Sequence, residues 1–153
     1  MITSKKDLAS KIAVGRLLTV KVRLTNAQIK ALRATPITLV PAVTNKVIQF
    51  VGAQLKLVYG SNVFTETADN MAIKYTNGSG VAVSQAIEAT GFIDAAANTI
   101  TNAIPALDAI VAETGAKSKA LVLHNTGDGE YAGNAAADST MVVTVSYMVH
   151  DLS

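Results

Sequence analysis

From Lys46 to Tyr59 the chain reads KVIQFVGAQLKLVY, and its apolar positions change parity part-way along. Ile48 and Phe50 are even, whereas Leu55, Leu57 and Tyr59 are odd. Side chains of a strand alternate between its two faces, so a parity switch across Val51, Gly52 and Ala53 signals one inserted residue, as in a β-bulge, or a corner. At about 3.3 Å per residue the run would span roughly 45 Å, too long for one flat strand of ordinary length. The pattern predicts a bent strand that passes between two sheets, with the other strands laid around it.

The remaining apolar positions supply those strands. Val20, Val22 and Leu24 alternate with Lys21 and Arg23, which predicts a half-buried strand over Thr19 to Leu24. Thr25-Asn26-Ala27-Gln28 is a capping box, and Leu24 with Ile29 forms the matching hydrophobic staple, so a short helix is expected from Asn26 to about Arg33. Pro36 ends it, and Ile37 to Val40 is a brief strand closed by Pro41. Gly60 to Asn70 is a polar loop with Val63 and Phe64 tucked beneath the sandwich. Met71, Ile73 and Tyr75, then Val81, Val83 and Ile87, flank Asn77-Gly78-Ser79-Gly80, the composition of a hairpin turn with positive φ angles. Phe92, Ile93, Ile100 and Ile104 mark a strand or two around an Ala-rich bend. Leu107 to Val111 fits a helix opening at Pro105 or a strand, and its β surroundings favour the strand. Lys119 to His124 is a further strand, Asn125 to Ser139 a long loop, and Met141 to His150 the most regular alternation of all. Eight or so strands with little helix predict an all-β fold: a single-domain, jelly-roll-like β-sandwich over 19–153, preceded by an extended arm over 1–18.

Composition narrows the picture. There is no Cys, which removes disulfides, thiolate metal sites and Cys nucleophiles together. Charged residues are only 16% of the chain, below the roughly 25% of an average soluble domain. Thr, Asn, Ser and Ala, or neighbouring subunits, must therefore cover the surface. No apolar run reaches the roughly 18 residues of a membrane span, and Arg16 interrupts the one stretch, Ile12 to Val20, that could form a signal-peptide core. A soluble chain without a targeting segment is expected.

The net charge of +2 hides an asymmetry. Residues 1–33 hold eight basic side chains against Asp7, a net +7, while the other 120 residues hold five basic and ten acidic ones, a net −5. A basic N-terminal region on a mildly acidic body favours an anionic partner surface. Residues 1–33 contain no aromatic side chain to stack on a base, so nucleic acid is not expected. Equally, the run could be a solvated start followed by an ordinary Lys/Arg-faced strand.

Candidate chemistry is sparse. Asn125, Asp128, Glu130, Asn134 and Asp138 offer oxygen ligands suited to Ca²⁺, but not in EF-hand order, and Asp, Asn and Gly also dominate ordinary turns; no metal or other cofactor is expected. The glycines of 127–133 lead into a strand rather than the helix that a phosphate cradle needs. His124 and His150 end separate strands and lack metalloenzyme spacing. Glu66 with Asp69, or Glu88 with Asp94, could pair as acid and base, yet Trp is absent and Phe and Tyr total seven, too few for sugar-stacking platforms. An enzyme is not expected.

Four strings carry a resemblance. They are LTNAQIKALRATP from Leu24 to Pro36, VIQF from Val47 to Phe50, TADN from Thr67 to Asn70, and LVLHNTGDGEY from Leu121 to Tyr131. With the overall run of about residues 20–150, they resemble small structural proteins of tailed bacteriophages, most of all a head decoration, or cement, protein. The resemblance implies a jelly-roll-like body sitting as a homo-oligomer, a dimer or trimer, on the outside of the capsid. Its partner there would be the major capsid protein, with neighbouring capsomers clamped together and neither nucleic acid nor membrane involved. On that reading Lys5, Lys6, Lys11 and Arg16 form a capsid-binding arm. A tail or head-tail connector subunit, and a carbohydrate- or Ca²⁺-binding sandwich module, remain as alternatives.

Overall fold

The computed structural model describes residues 14–153. Nine strands and two short helices follow in order: β1 (Leu17–Leu24), α1 (Asn26–Lys30), β2 (Ile37–Val40), β3 (Val47–Val58), β4 (Phe64–Thr65), β5 (Met71–Tyr75), β6 (Thr99–Ala103), α2 (Glu113–Ala116), β7 (Leu121–Asn125), β8 (Ala132–Gly133) and β9 (Thr140–His150). The protein is all-β and antiparallel. Its larger sheet has the order β1-β9-β3-β6, its smaller one β2-β7-β5, and β4 pairs with β8 beside them.

This order is that of a chain folded into one long hairpin and then rolled up. β1 pairs with β9, β2 with β7 and β3 with β6. The tip is β5 and the limb 81–87, joined by Tyr75 N–H to Val81 O, Val83 N–H to Ile73 O and a reciprocal pair between Met71 and Ile87. With that limb as the fifth of eight main strands, the two sheets are the halves of a jelly roll. The limb is not a regular strand, because three residues of β5, Met71 to Ile73, face five of the limb, Val83 to Ile87. Ser84 repairs the gap by accepting the Ile73 N–H through its hydroxyl.

The parity switch in β3 is a bulge. Phe50 pairs with Tyr147 and Gly52 with Ser146, so Val51 has no partner of its own and is partly exposed. β9 runs through without a skip, burying Met141, Val143, Val145 and Val149. Only the extra residue lets β3 bury Ile48 and Phe50 on one side of the bulge and Leu55 and Leu57 on the other. The expectation that this strand serves both sheets is corrected: β3 keeps β9 as its neighbour on either side of Val51 and stays within the larger sheet. The link across the sandwich is a side chain, since the Tyr75 hydroxyl on β5 donates to Ile48 O at 2.6 Å, where β3 extends past the end of β6.

α1 forms as the sequence dictates. Thr25 and Gln28 make both halves of the capping box, and Leu24 and Ile29 are fully buried as the staple. The regular helix stops at Lys30 and continues as turn to Ala34, shorter than expected. Two further expectations fail. Leu107 to Val111 is neither strand nor helix: Leu107 and Ile110 are 86% and 93% exposed, and the segment loops outward before α2. In the 77–80 turn neither glycine has positive φ; Thr76 takes it instead. Gly80 is required for space, because a Cβ there would lie 1.6 Å from Tyr75 O.

Deleting Val51 should force Ile48 and Phe50 toward solvent or break the β3–β9 pairing. Burial of each contributes roughly 1.5–3 kcal/mol, so stability should fall by about 3 kcal/mol or more. Val51→Thr should stay within about 0.5 kcal/mol of the parent. Urea denaturation compares the three, and an unchanged midpoint for the deletion would remove the bulge from this account.

Candidate functional site

The outward face of the larger sheet is a broad ordered surface that mixes cationic, hydroxyl, amide and apolar side chains. Strand pairing aligns its side chains in rows across the sheet. One row is Arg23, Val142, Lys56 and Ile100; the next is Lys21, Thr144, Gln54 and Asn102. Thr19 with Ser146, and Leu17 with Met148 and Gln49, continue it toward the start of β1. Lys21, Arg23 and Lys56 are exposed, and among the described residues the four strands of this face carry no carboxylate. Flat, hydroxyl- and amide-bearing and cationic, it can adhere to an anionic protein surface through many weak contacts.

Arg16 is exposed immediately before β1, where Gly15 donates its N–H to Val149 O at 2.7 Å. Lys5, Lys6 and Lys11 lie outside the described residues. The chain therefore enters the described fold beside β9, at the margin of the face that bears Lys21 and Arg23.

No protein-family profile matches the chain, and no curated protein matches it. Among solved structures it is similar to a chain in the capsid of Ralstonia phage GP4, at 12% identity and a TM-score of 0.45, with 88% of this chain and 85% of that chain covered. It is also similar to a chain of infectious bursal disease virus, Gx strain, at 14% identity and a TM-score of 0.24, over 92% of this chain and 38% of that one.

Four of the five residues considered for Ca²⁺ hold the loop together with their side chains, and Asp128 takes part through its backbone N–H. Asn125 accepts from Gly127 N–H and donates to Gly129 O. Glu130 accepts the N–H groups of Arg33 and Ala34 at 3.0 and 2.7 Å, closing the turn after α1. Asn134 is buried among Asn26, Asn62, Asp138 and Ser139, bonded to all four, and Asp138 also accepts from the Ser61 hydroxyl. Among the described residues no three acidic or imidazole groups converge on a point that a metal could occupy.

The paired carboxylates are likewise structural. Glu66 accepts from Ala68 N–H, Asp69 N–H and the Thr90 hydroxyl, and Asp94 caps the turn at Gly91. The two histidines stand on different sheets, with His150 against Gln49 at 2.7 Å and His124 on β7.

Sequence reasoning missed the role of Asp69. Its carboxylate is buried and accepts from Asp128 N–H at 2.9 Å, Gly129 N–H at 3.2 Å and the Thr67 hydroxyl at 2.9 Å. Its carbonyl receives the hydroxyl of buried Tyr131. Burial opposes ionisation, but the hydrogen bonds from Gly129, Thr67 and Asp128 outweigh it and hold the carboxyl below its ordinary value. Burial, then the charge of Asp69, pushes the Tyr131 phenol up. The one available signal was the recurrence of turn-forming TADN and NTGDG on segments that the strands bring together.

Asp69→Ala leaves the 128–129 amides without an acceptor and should lower stability by about 2–4 kcal/mol at pH 7. Because the folded carboxyl titrates below its ordinary value, its contribution is present above that value and lost as pH falls through the folded one. The difference between parent and variant should therefore shrink below about pH 4. Denaturant titrations at pH 7 and pH 3 check both parts.

Proposed function

We propose that this chain is a structural protein of a virion that binds the outside of a phage capsid, joins neighbouring capsomers and acts without catalysing a reaction. The observation that carries the reading is the outward face of the larger sheet, where Lys21, Arg23 and Lys56 stand without a carboxylate among Thr, Ser, Gln and Asn. It is supported by the basic segment that joins this face at Arg16, by the jelly-roll fold, a recurrent architecture of capsid domains, and by the resemblance of residues 20–150 to phage decoration proteins.

In this reading the basic segment ahead of β1 is an arm that attaches to the particle, shorter than the expected 1–18 because Leu17 and Leu18 already belong to β1. Lys5, Lys6, Lys11 and Arg16 fasten it to acidic positions of the major capsid protein, and the sheet face rests on the shell. A cationic surface without its own counter-charges meets an acidic one at low desolvation cost and gains from each exposed contact, weakly but many times. The chain would act as a dimer or trimer. Exposed Leu107 and Ile110, beside the edge strand β6 with its outward Ile100, are the apolar surface best placed to be covered by another subunit.

Removing residues 1–13, or changing Lys21, Arg23 and Lys56 together to Glu, should lower occupancy on purified particles at least tenfold while leaving the unfolding midpoint within about 0.5 kcal/mol of the parent. Binding of the parent should weaken as salt rises toward 0.5 M. Co-sedimentation and cryo-EM of the particles read occupancy; full occupancy by both variants would overturn the proposal. Assembly of the free chain into a closed ring of fixed size would instead support a connector or tail subunit.

A further inference from the structure

The outer side of the smaller sheet carries a different feature, an open cleft of about 540 Å³ lined by Arg33, Pro36, Lys74, Ser79, His124 and Thr126 among others. β5 and β7 place Ala72 opposite His124 and Lys74 opposite Val122, so Lys74 and His124 are diagonal neighbours on one face of the sheet. Arg33 reaches them from the turn after α1. Its Nε is fixed to Gly127 O at 2.7 Å, while its two terminal Nη groups make no bond to any described residue.

The balance of charge at this cleft is unusual. Lys74 is half-buried, and its Nζ donates only to Gly78 O at 2.7 Å. Neither Lys74 nor Arg33 forms an ion pair with a described carboxylate. Glu130, the acidic group beside them, has one oxygen on Arg33 N–H and the other on Ala34 N–H and does not pair with the guanidinium. His124 has a buried Nδ1 with no partner. Burial first, then the charge of Lys74, hold its imidazole below the usual range; a hydrogen bond with the Arg33 backbone and the charge of Glu130 oppose them, and the Arg33 charge adds to them. A half-buried ammonium and an anchored guanidinium thus line one cleft that has no carboxylate among its described lining residues.

We infer that this cleft is a binding site for a compact oxyanion, a carboxylate or a phosphate group. The anion would take the Arg33 Nη edge and the two free protons of Lys74, with the Ser79 hydroxyl within the same lining. Guanidinium and ammonium bind such oxygens through short charge-assisted bonds, and a fork held by its Nε needs little further ordering. The site lies on the sheet opposite the Lys21, Arg23 and Lys56 face, so it does not depend on the capsid-binding reading.

The test is an NMR titration of the whole chain with inorganic phosphate and, separately, with acetate, at constant ionic strength set by NaCl. Saturable shifts are expected at the amides of Gly78, Ser79 and Thr126 and at the His124 ring, whose midpoint of titration should rise. Arg33→Gln and Lys74→Gln should each weaken binding about tenfold or more. Lys21→Gln, on the other sheet, should leave it unchanged. Saturation by phosphate alone assigns a phosphate ligand, and by acetate as well a carboxylate-accepting one. No saturable shift with either anion up to about 50 mM, or equal binding by the folded Arg33→Gln variant, overturns the inference.

Discussion

Every strand of the larger sheet takes its position from the pairing of β3 with β9. β9 is bonded on both sides, to β1 over its whole length and to β3 from Val47 to Val58, and it is continuous in register throughout. A continuous strand of eleven residues turns alternate side chains to the core, four of them buried and Tyr147 partly so, and any partner of that length must match its twist and its alternation. β3 does so by leaving Val51 unpaired. Without that residue, one half of β3 would present Gln and Lys to a core built from Ile48, Phe50, Leu55 and Leu57. β1 and β6, added at the two edges, inherit the register, and with it the rows of side chains on the outer face.

The rolled topology has a second requirement. Connections between sheets are long, and their backbone groups come to lie over a closed core where water cannot satisfy all of them. Two buried polar centres meet that need. Asp69 receives the amides of the 128–129 turn, and a Cβ on Gly127 would come within 1.8 Å of its Oδ1, so the loop sits that close only because this position is glycine. Asn134 gathers the 60–62 and 134–139 segments against α1 through Asn26. Such centres use side chains that would otherwise look like ligands, and here they bond to the protein's own backbone and side chains.

Periodicity made most of this visible beforehand. The alternation of Met141 to His150, the capping box at Thr25 and the parity change at Val51 each report a local backbone constraint, and each appears where the residues place it. What periodicity does not encode is which strand a bend serves. A parity switch reads the same for a corner between sheets as for a bulge within one, and only the uninterrupted partner β9 decides. Leu107 to Val111 misled for a related reason: apolar residues predict strand through the core they would face, and this loop has no core beneath it. The cleft at Arg33, Lys74 and His124 was hidden because its members are dispersed over 91 residues and meet only through the β5–β7 register and the turn after α1.

The two outer faces of the sandwich consequently have different physical characters. On the larger sheet β1, β3 and β9 are long and their turns lie at the ends, so among the described residues Lys21, Arg23 and Lys56 stay exposed on a broad face. On the smaller sheet the strands are four or five residues long, and the 77–79 turn, Pro36 and the 126–127 turn rise around Lys74 and His124 to form walls. A broad face suits another broad surface, where each exposed charge contributes little and the number of contacts decides. A walled cleft suits a small group, where partial desolvation makes each bond to a cation stronger. Screening sharpens the contrast: at physiological ionic strength the Debye length is about 8 Å, so the open face acts on a partner only near contact, whereas Lys74, half-shielded from solvent, is screened much less. Strand length, set by the same rolled hairpin that fixes the core, thus separates a broad cationic face from a walled cationic recess.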